Sequence, residues 1–361
     1  MERVFNFNPG PATLPYEVLK QVQDELLDYA GTGMSVMEIS HRSKDFEAVI
    51  AEAESLMKEL IGGADQYRVL FLGGGASTQF AGVPLNLVTP GREADYIVTG
   101  SFAEKAYEEA DKLIKANLAF TTKPEKHNRI PKKEEIQLSA DPVYVHLCSN
   151  NTICGTQWQS FPDFNGIPLV VDMSSDMLAR PFDISKFSVV YAGAQKNLGP
   201  SGVTIVIVRN DVLEQVNKQI PTMLRYDIHA KNDSMYNTPP CFSIYIVNLI
   251  LRWLKQNGGL PAMEKRNQEK SALVYGAIDA SAGFYRGHAV KEDRSLMNVT
   301  YRLPSEELEK SFVAEAKKQG LIGLGGHRSV GGIRASIYNA MTLAGCQTLA
   351  QFMQEFQRTN G

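Results

Sequence analysis

The sequence predicts an α/β protein: a large domain on a mainly parallel sheet flanked by helices, followed by a smaller carboxy-terminal α/β domain. Three observations carry this. Short apolar runs alternate with amphipathic helical patterns, as in successive βαβ units. The chain has 361 residues, enough for about two domains at roughly 150 residues each. A break at Asn257-Gly258-Gly259-Leu260-Pro261 separates a long first part from a shorter second one.

Taken in order, the first strong element is a helix after Asp45. It places Phe46, Val49, Ile50, Ala53, Leu56, Met57 and Leu60 on one face, and Gly62-Gly63 stops it. Tyr67 to Leu72 is a buried strand that runs into Gly73-Gly74-Gly75-Ala76-Ser77-Thr78 and a second helix. Further strands are expected at 95–98, 143–147, 169–171, 189–192 and 203–208, with a helical pattern from Ala103 to Lys115 between two of them. Beyond the break come a helix, a strand around 296–301, a helix from Ser305 to Gln319 and a glycine-rich stretch from Gly323 to Gly332. The expected division is residues 16–260 as the large domain and 261–361, together with 1–15, as the small one.

Charge and composition exclude several classes. A net charge of -3 offers nothing to nucleic acid or an anionic membrane. The basic run from Lys123 to Lys133 is broken by prolines and followed by Glu134 and Glu135, so it reads as a solvated loop. Cys148, Cys154, Cys241 and Cys346 lack metal or redox spacing, and no metal is expected. The opening residues have no secretory or transit pattern, so free thiols in a cytoplasmic setting are expected. His146, inside an apolar strand, reads as a core residue, and Trp158 and Trp253 as packing residues.

The chemistry concentrates at two strand ends. Lys196 follows an apolar strand and is surrounded by small residues and glycines, whereas Asp172 ends another strand in Asp172-Met173-Ser174-Ser175. A single lysine in a glycine-rich turn is ordinarily a surface residue. Here lysine and aspartate both sit where open α/β sheets bind ligands. A lysine that can bond a carbonyl carbon and a carboxylate that can keep a ring nitrogen protonated are what pyridoxal phosphate requires. The Gly73 to Thr78 turn adds glycines and a helix start suited to a phosphate. It matches neither the dinucleotide fingerprint nor the P-loop.

These residues belong to a longer ordered set. Phe5-Asn6-Phe7-Asn8-Pro9-Gly10-Pro11-Ala12, Ser40-His41-Arg42-Ser43, Phe71 to Ser77 and Ser149-Asn150-Asn151-Thr152-Ile153 come first. Asp172 to Ser175, Gly193-Ala194-Gln195-Lys196-Asn197, Asn237-Thr238-Pro239-Pro240, and Gly326-His327-Arg328 with Arg334 complete it. The set resembles the pyridoxal-phosphate-dependent aminotransferases of fold type I, class V, over essentially the whole chain.

The resemblance implies a role for each position. Lys196 would bond the cofactor and shuttle the substrate proton, Asp172 would face the pyridine nitrogen, and Thr152 the ring's phenolic oxygen. Ala76 and Ser77, assisted by Gln195, would hold the phosphate. Asn237 and Thr238 match a pair that reaches the phosphate from the other subunit, implying a homodimer. Phe102 stands where many members carry a stacking tryptophan; it keeps the aromatic face but lacks the indole N–H. Arg334 would clamp the substrate α-carboxylate, and His41, Arg42, His327 and Arg328 would receive a distal phosphate or carboxylate.

The implied activity is transamination between L-glutamate and 3-phosphohydroxypyruvate, giving O-phospho-L-serine and 2-oxoglutarate, in serine biosynthesis. The phosphohydroxythreonine step of vitamin B6 synthesis would present the same two anions. Two other readings leave residues unused. Alanine–glyoxylate transamination or desulfuration gives the His-Arg pairs no purpose, and a noncatalytic phosphate-binding module leaves Asp172 and Lys196 unexplained.

Overall fold

Apolar strands buried on both faces need cover on each side, and the computed structural model, which describes residues 3–63 and 65–361, supplies it. In chain order its elements are β1 (Phe5–Asn6), α1 (Tyr16–Glu25), α2 (Lys44–Ile61), β2 (Tyr67–Leu72), α3 (Gly75–Leu87), β3 (Glu93–Val98), α4 (Ser101–Asp111), β4 (Lys115–Thr121), β5 (Val145–Cys148), β6 (Leu169–Asp172), β7 (Phe187–Gly193) and β8 (Thr204–Arg209). Then follow α5 (Asn210–Glu214), α6 (Tyr226–Lys231), α7 (Cys241–Gln256), α8 (Gly259–Asp279), β9 (Arg286–Gly287), β10 (Asn298–Arg302), α9 (Glu306–Lys318), β11 (Leu321–Ile322), β12 (Ile333–Ser336) and α10 (Leu343–Asn360).

The main sheet has seven strands in the order β2-β8-β7-β6-β5-β3-β4, and β8 alone runs against the rest. Side chains alternate between its faces. Val69, Phe71, Leu147, Val171 and Ile207 join the apolar cluster covered by α2 and α7, whereas Leu70, Tyr96, Val170, Tyr191 and Val208 join the one covered by α3 and α4. Because six strands share a direction, the loops after β2, β3, β5, β6 and β7 all open at the same carboxyl edge. A third apolar cluster contains Tyr301, Phe312, Phe352 and Phe356 from the carboxy-terminal part, together with Phe7. Phe7 reaches it because β1 pairs in parallel with β11.

Three local expectations change. The helix expected to reach Lys115 ends at Asp111, and Lys115–Thr121 is the edge strand β4. With β3 as its sole neighbour and Leu118 exposed, β4 lacks the continuous apolar run that marks the inner strands. The helix expected after Asp45 is capped by Ser43, whose hydroxyl accepts from the Phe46 amide; Asp45 lies in its first turn, a favourable place for negative charge. The long helix α7 had no counterpart in the sequence reading. His146 is a core residue as expected, stacked on Tyr96 with centroids 4.9 Å apart and hydrogen-bonded to Tyr191 at 2.8 Å. Burial pushes its pKa down to about 3, leaving a neutral ring.

Candidate active site

Lys196 is presented by the tight turn after β7, where the amides of Leu198 and Gly199 both donate to the Ala194 carbonyl. Space requires glycine at 199, since a Cβ there would lie 2.9 Å from Val247. The Lys196 side chain is 9% exposed, and its amine donates to Thr152 Oγ1 at 2.7 Å. It lies 5.3 Å from the centroid of the Phe102 ring. Burial, helped by the Arg334 guanidinium and opposed by Asp172, pushes its pKa down to about 8. The amino-terminal segment closes over the turn: the Ala12 amide donates to the Gln195 carbonyl, and Gly10, with φ +142°, lies against the Lys196 side chain.

Asp172 ends β6 and is buried. Its Oδ1 accepts from the Ser174 amide at 2.8 Å, whereas among the described residues Oδ2 accepts from the Cys148 thiol alone, at 3.8 Å. Burial raises its pKa, and the Ser174 bonds and the charge of Lys196 pull it back. Thr152 sits in the turn after β5, shaped by Asn151: Oδ1 accepts from the Ile153 and Cys154 amides, and Nδ2 donates to the Thr99 carbonyl at 2.7 Å. That side chain lies so close to Gly100 that a Cβ there would be 2.3 Å from it. The turn carrying Thr152 is thereby locked to the start of the helix carrying Phe102. Sequence reasoning missed Asn151 and Cys148; the available signal was a glycine at one strand end and adjacent asparagines at another.

Arg334 projects from β12, is 6% exposed, and reaches the Thr152 carbonyl through Nη1 at 3.4 Å. Its Nε has no partner among the described residues, leaving a buried guanidinium edge available to an anion. Burial lowers the pKa of His327, and the charges of Arg334, Arg328 and Lys105 lower it further. Arg328 is exposed beside it. His41 and Arg42 occupy the loop before α2, half-buried and exposed respectively. Among the described residues, no hydrogen bond or ion pair joins these two side chains to Lys196, Asp172 or Arg334.

The turn after β2 enters α3 through Gly74, whose φ of +92° and contact with Thr78 both demand glycine. No side chain caps α3; Ala76 is half-buried and Ser77 exposed in its first turn. Asn237 and Thr238 are exposed and line a cavity of about 480 Å³ with Gly73, Gly74 and Thr78. Gln195 is half-buried next to Lys196.

Comparison with known proteins matches this arrangement. Residues 4–349 fit the family described as aminotransferase class-V. The chain belongs to the class-V aminotransferases. A phosphoserine aminotransferase of Herpetosiphon aurantiacus is 61% identical over 358 residues, covering 99% of each chain. The structure of the phosphoserine aminotransferase from Bacillus circulans subsp. alkalophilus superposes with a TM-score of 0.98 at 52% identity, covering 100% of both chains. A PLP-bound phosphoserine aminotransferase from Trichomonas vaginalis gives 0.93 at 37% identity, over 98% of this chain and 100% of that one.

The residues of this class-V aminotransferase fit pyridoxal phosphate on their own geometry. Asp172 is buried, and among the described residues its Oδ2 has no partner better than a thiol, so it suits a ring N–H. Lys196 is a buried amine whose one hydrogen bond is to a hydroxyl, and its lowered pKa provides the neutral form needed to attack a carbonyl. The uncapped start of α3 supplies amides of the kind that bind phosphate.

Proposed function

We propose that this pyridoxal-phosphate-dependent transaminase moves the amino group of L-glutamate to 3-phosphohydroxypyruvate. Its products are 2-oxoglutarate and O-phospho-L-serine, and its place is in serine biosynthesis. The observation that carries the reading is the convergence of Lys196, Asp172 and Arg334 at the carboxyl edge, in a chain so similar to phosphoserine aminotransferases.

The bound cofactor supplies an electron-withdrawing ring that stabilises negative charge on the substrate Cα. Everything else falls to side chains. Asp172 would face the ring nitrogen and, as a carboxylate, keep it protonated, while Thr152 orients the Lys196 amine and would face the ring oxygen. Lys196 would hold the cofactor, and its amine, once free and neutral, would carry the proton from the substrate Cα. Ala76, Ser77 and Gln195 hold the phosphate, and Phe102 covers the ring. Arg334 takes the α-carboxylate through its planar fork. His327 and Arg328, with His41 and Arg42, take the distal anion, so one basic pocket serves both the glutamate carboxylate and the phosphate.

The protein works as a cytoplasmic homodimer. Support for the dimer comes from exposed Asn237 and Thr238 beside the phosphate turn, and from His41 and Arg42, which among the described residues have no bond to the Lys196 cluster. Residues 16–260 form the cofactor-holding domain and 261–361 with 1–15 the small one, a division supported by the separate cluster around Phe312.

The test is to titrate the loaded protein with L-glutamate and follow its yellow colour. Bleaching by L-glutamate and recovery with 3-phosphohydroxypyruvate are expected. Colour indifferent to glutamate, or restored equally well by pyruvate, would overturn the substrate assignment.

A further inference from the structure

A knot of buried amides lies behind the site. The chain leaves Asp172 into a turn whose consecutive carbonyls Met177, Leu178 and Ala179 each accept from a different asparagine. Asn197 Nδ2 donates to Met177 at 3.2 Å, Asn339 Nδ2 to Leu178 at 3.0 Å, and Asn267 Nδ2 to Ala179 at 2.9 Å. The three are also joined to one another. The Asn339 amide donates to Asn197 Oδ1 and Asn267 Nδ2 to Asn339 Oδ1, both at 2.9 Å. They are 6%, 6% and 0% exposed in the order 197, 339 and 267.

The turn they hold is unfavourable on its own. Leu178 is fully buried with φ +58°, a left-handed conformation that is strained for a residue other than glycine. Such a conformation persists only where its surroundings over-determine it. Each asparagine also sits on a segment with business at the site. Asn197 adjoins Lys196, Asn339 lies five residues beyond Arg334, and Asn267 belongs to α8. One turn further along α8, the buried Lys270 amine donates to the Ile337 and Tyr338 carbonyls at 3.0 and 2.7 Å, gripping the segment that follows β12 and Arg334.

We propose that Asn197, Asn339 and Asn267 are positioning residues that set the distance between Arg334 and the Lys196–Asp172 pair. None of them needs to touch the reacting atoms. They act through the backbone of the 176–179 turn, so that the carboxylate clamp and the proton-moving amine keep one spacing. This rests on the functional reading above, in which Arg334 binds the α-carboxylate.

Asn339→Ala and Asn267→Ala test it beside Val49→Ala, a core truncation in α2 away from the knot, with all melting temperatures measured. The loaded proteins are titrated calorimetrically with 2-oxoglutarate, assayed with L-glutamate, and compared by amide hydrogen exchange over 176–180. Asn339→Ala should weaken 2-oxoglutarate and raise the glutamate KM about ten-fold, the factor that ~1.4 kcal/mol of lost buried hydrogen bonding gives. Its kcat should change by less than that factor, and the 176–180 amides should lose protection. Asn267→Ala leaves both Asn339 backbone bonds in place and should show the same pattern more weakly; it carries the test if Asn339→Ala does not fold. Equal losses of affinity in Val49→Ala at matched melting temperature would overturn the inference, as would unchanged affinity in both asparagine variants. Wild-type protein whose colour is indifferent to L-glutamate would instead overturn the functional reading on which it rests.

Discussion

Thr152→Val removes one hydroxyl and keeps the branched shape, so it isolates the bond that the Lys196 amine donates at 2.7 Å. An acceptor oxygen stabilises the ammonium form, and a hydrogen bond to a charged group contributes ~1.5–3 kcal/mol. Since one pKa unit is about 1.4 kcal/mol, losing it should move Lys196 down by about one unit or more from its already lowered value near 8. The assay is the rate at which apoprotein takes up pyridoxal phosphate, read from its colour across pH, because only the neutral amine attacks the aldehyde. The wild-type rate should climb through about pH 8, and the variant's rate should climb at lower pH. Titration of the cofactor's own groups is common to both proteins and drops out of the difference. A midpoint unchanged or raised in the variant would refute the role given to Thr152. A wild-type midpoint near 10.5, the ordinary lysine value, would refute the argument from burial.

Further outcomes are expected. Between pH 8 and 10.5 the unfolded chain keeps a proton on Lys196 that the folded apoprotein has lost, so stability rises with pH there, and below pH 8 a charged buried amine costs about 3 kcal/mol. Lys196→Met should therefore abolish turnover yet raise the apoprotein's melting temperature at pH 7, and a fall would count against the burial cost. Steady-state kinetics should show Arg334→Ala raising KM for every amino and oxo acid alike, by roughly a hundred-fold for a lost charged pair. Arg42→Ala should hurt glutamate and 3-phosphohydroxypyruvate but spare alanine; equal damage to alanine would refute a distal-anion role. Gly100→Ala should lower the melting temperature by forcing Asn151 aside, at ~1–3 kcal/mol for overpacking. Gly276→Ala, on an open face of α8, should raise it by up to ~1 kcal/mol.

What the sequence disclosed and what it hid differ in kind. Lys196 and Asp172 were legible because each follows a short apolar run rich in valine, and parallel strands deliver such ends to one edge. His146 was legible as core because it interrupts an apolar run with no acidic or cationic neighbour, and it lies neutral between Tyr96 and Tyr191. β4 was hidden because an edge strand with one neighbour can keep lysine, asparagine and threonine in sequence with no cost in burial. The asparagine knot was hidden for a stronger reason. Its acceptors are main-chain carbonyls, which every residue possesses, and its donors come from positions 197, 267 and 339, which share no period or motif. Side chains that perform chemistry leave a trace in residue type, whereas side chains that hold a backbone in place leave one only in three dimensions. A buried asparagine whose amide ends on a carbonyl beside a left-handed leucine is therefore as informative about the site as the lysine. It fixes where the lysine can be.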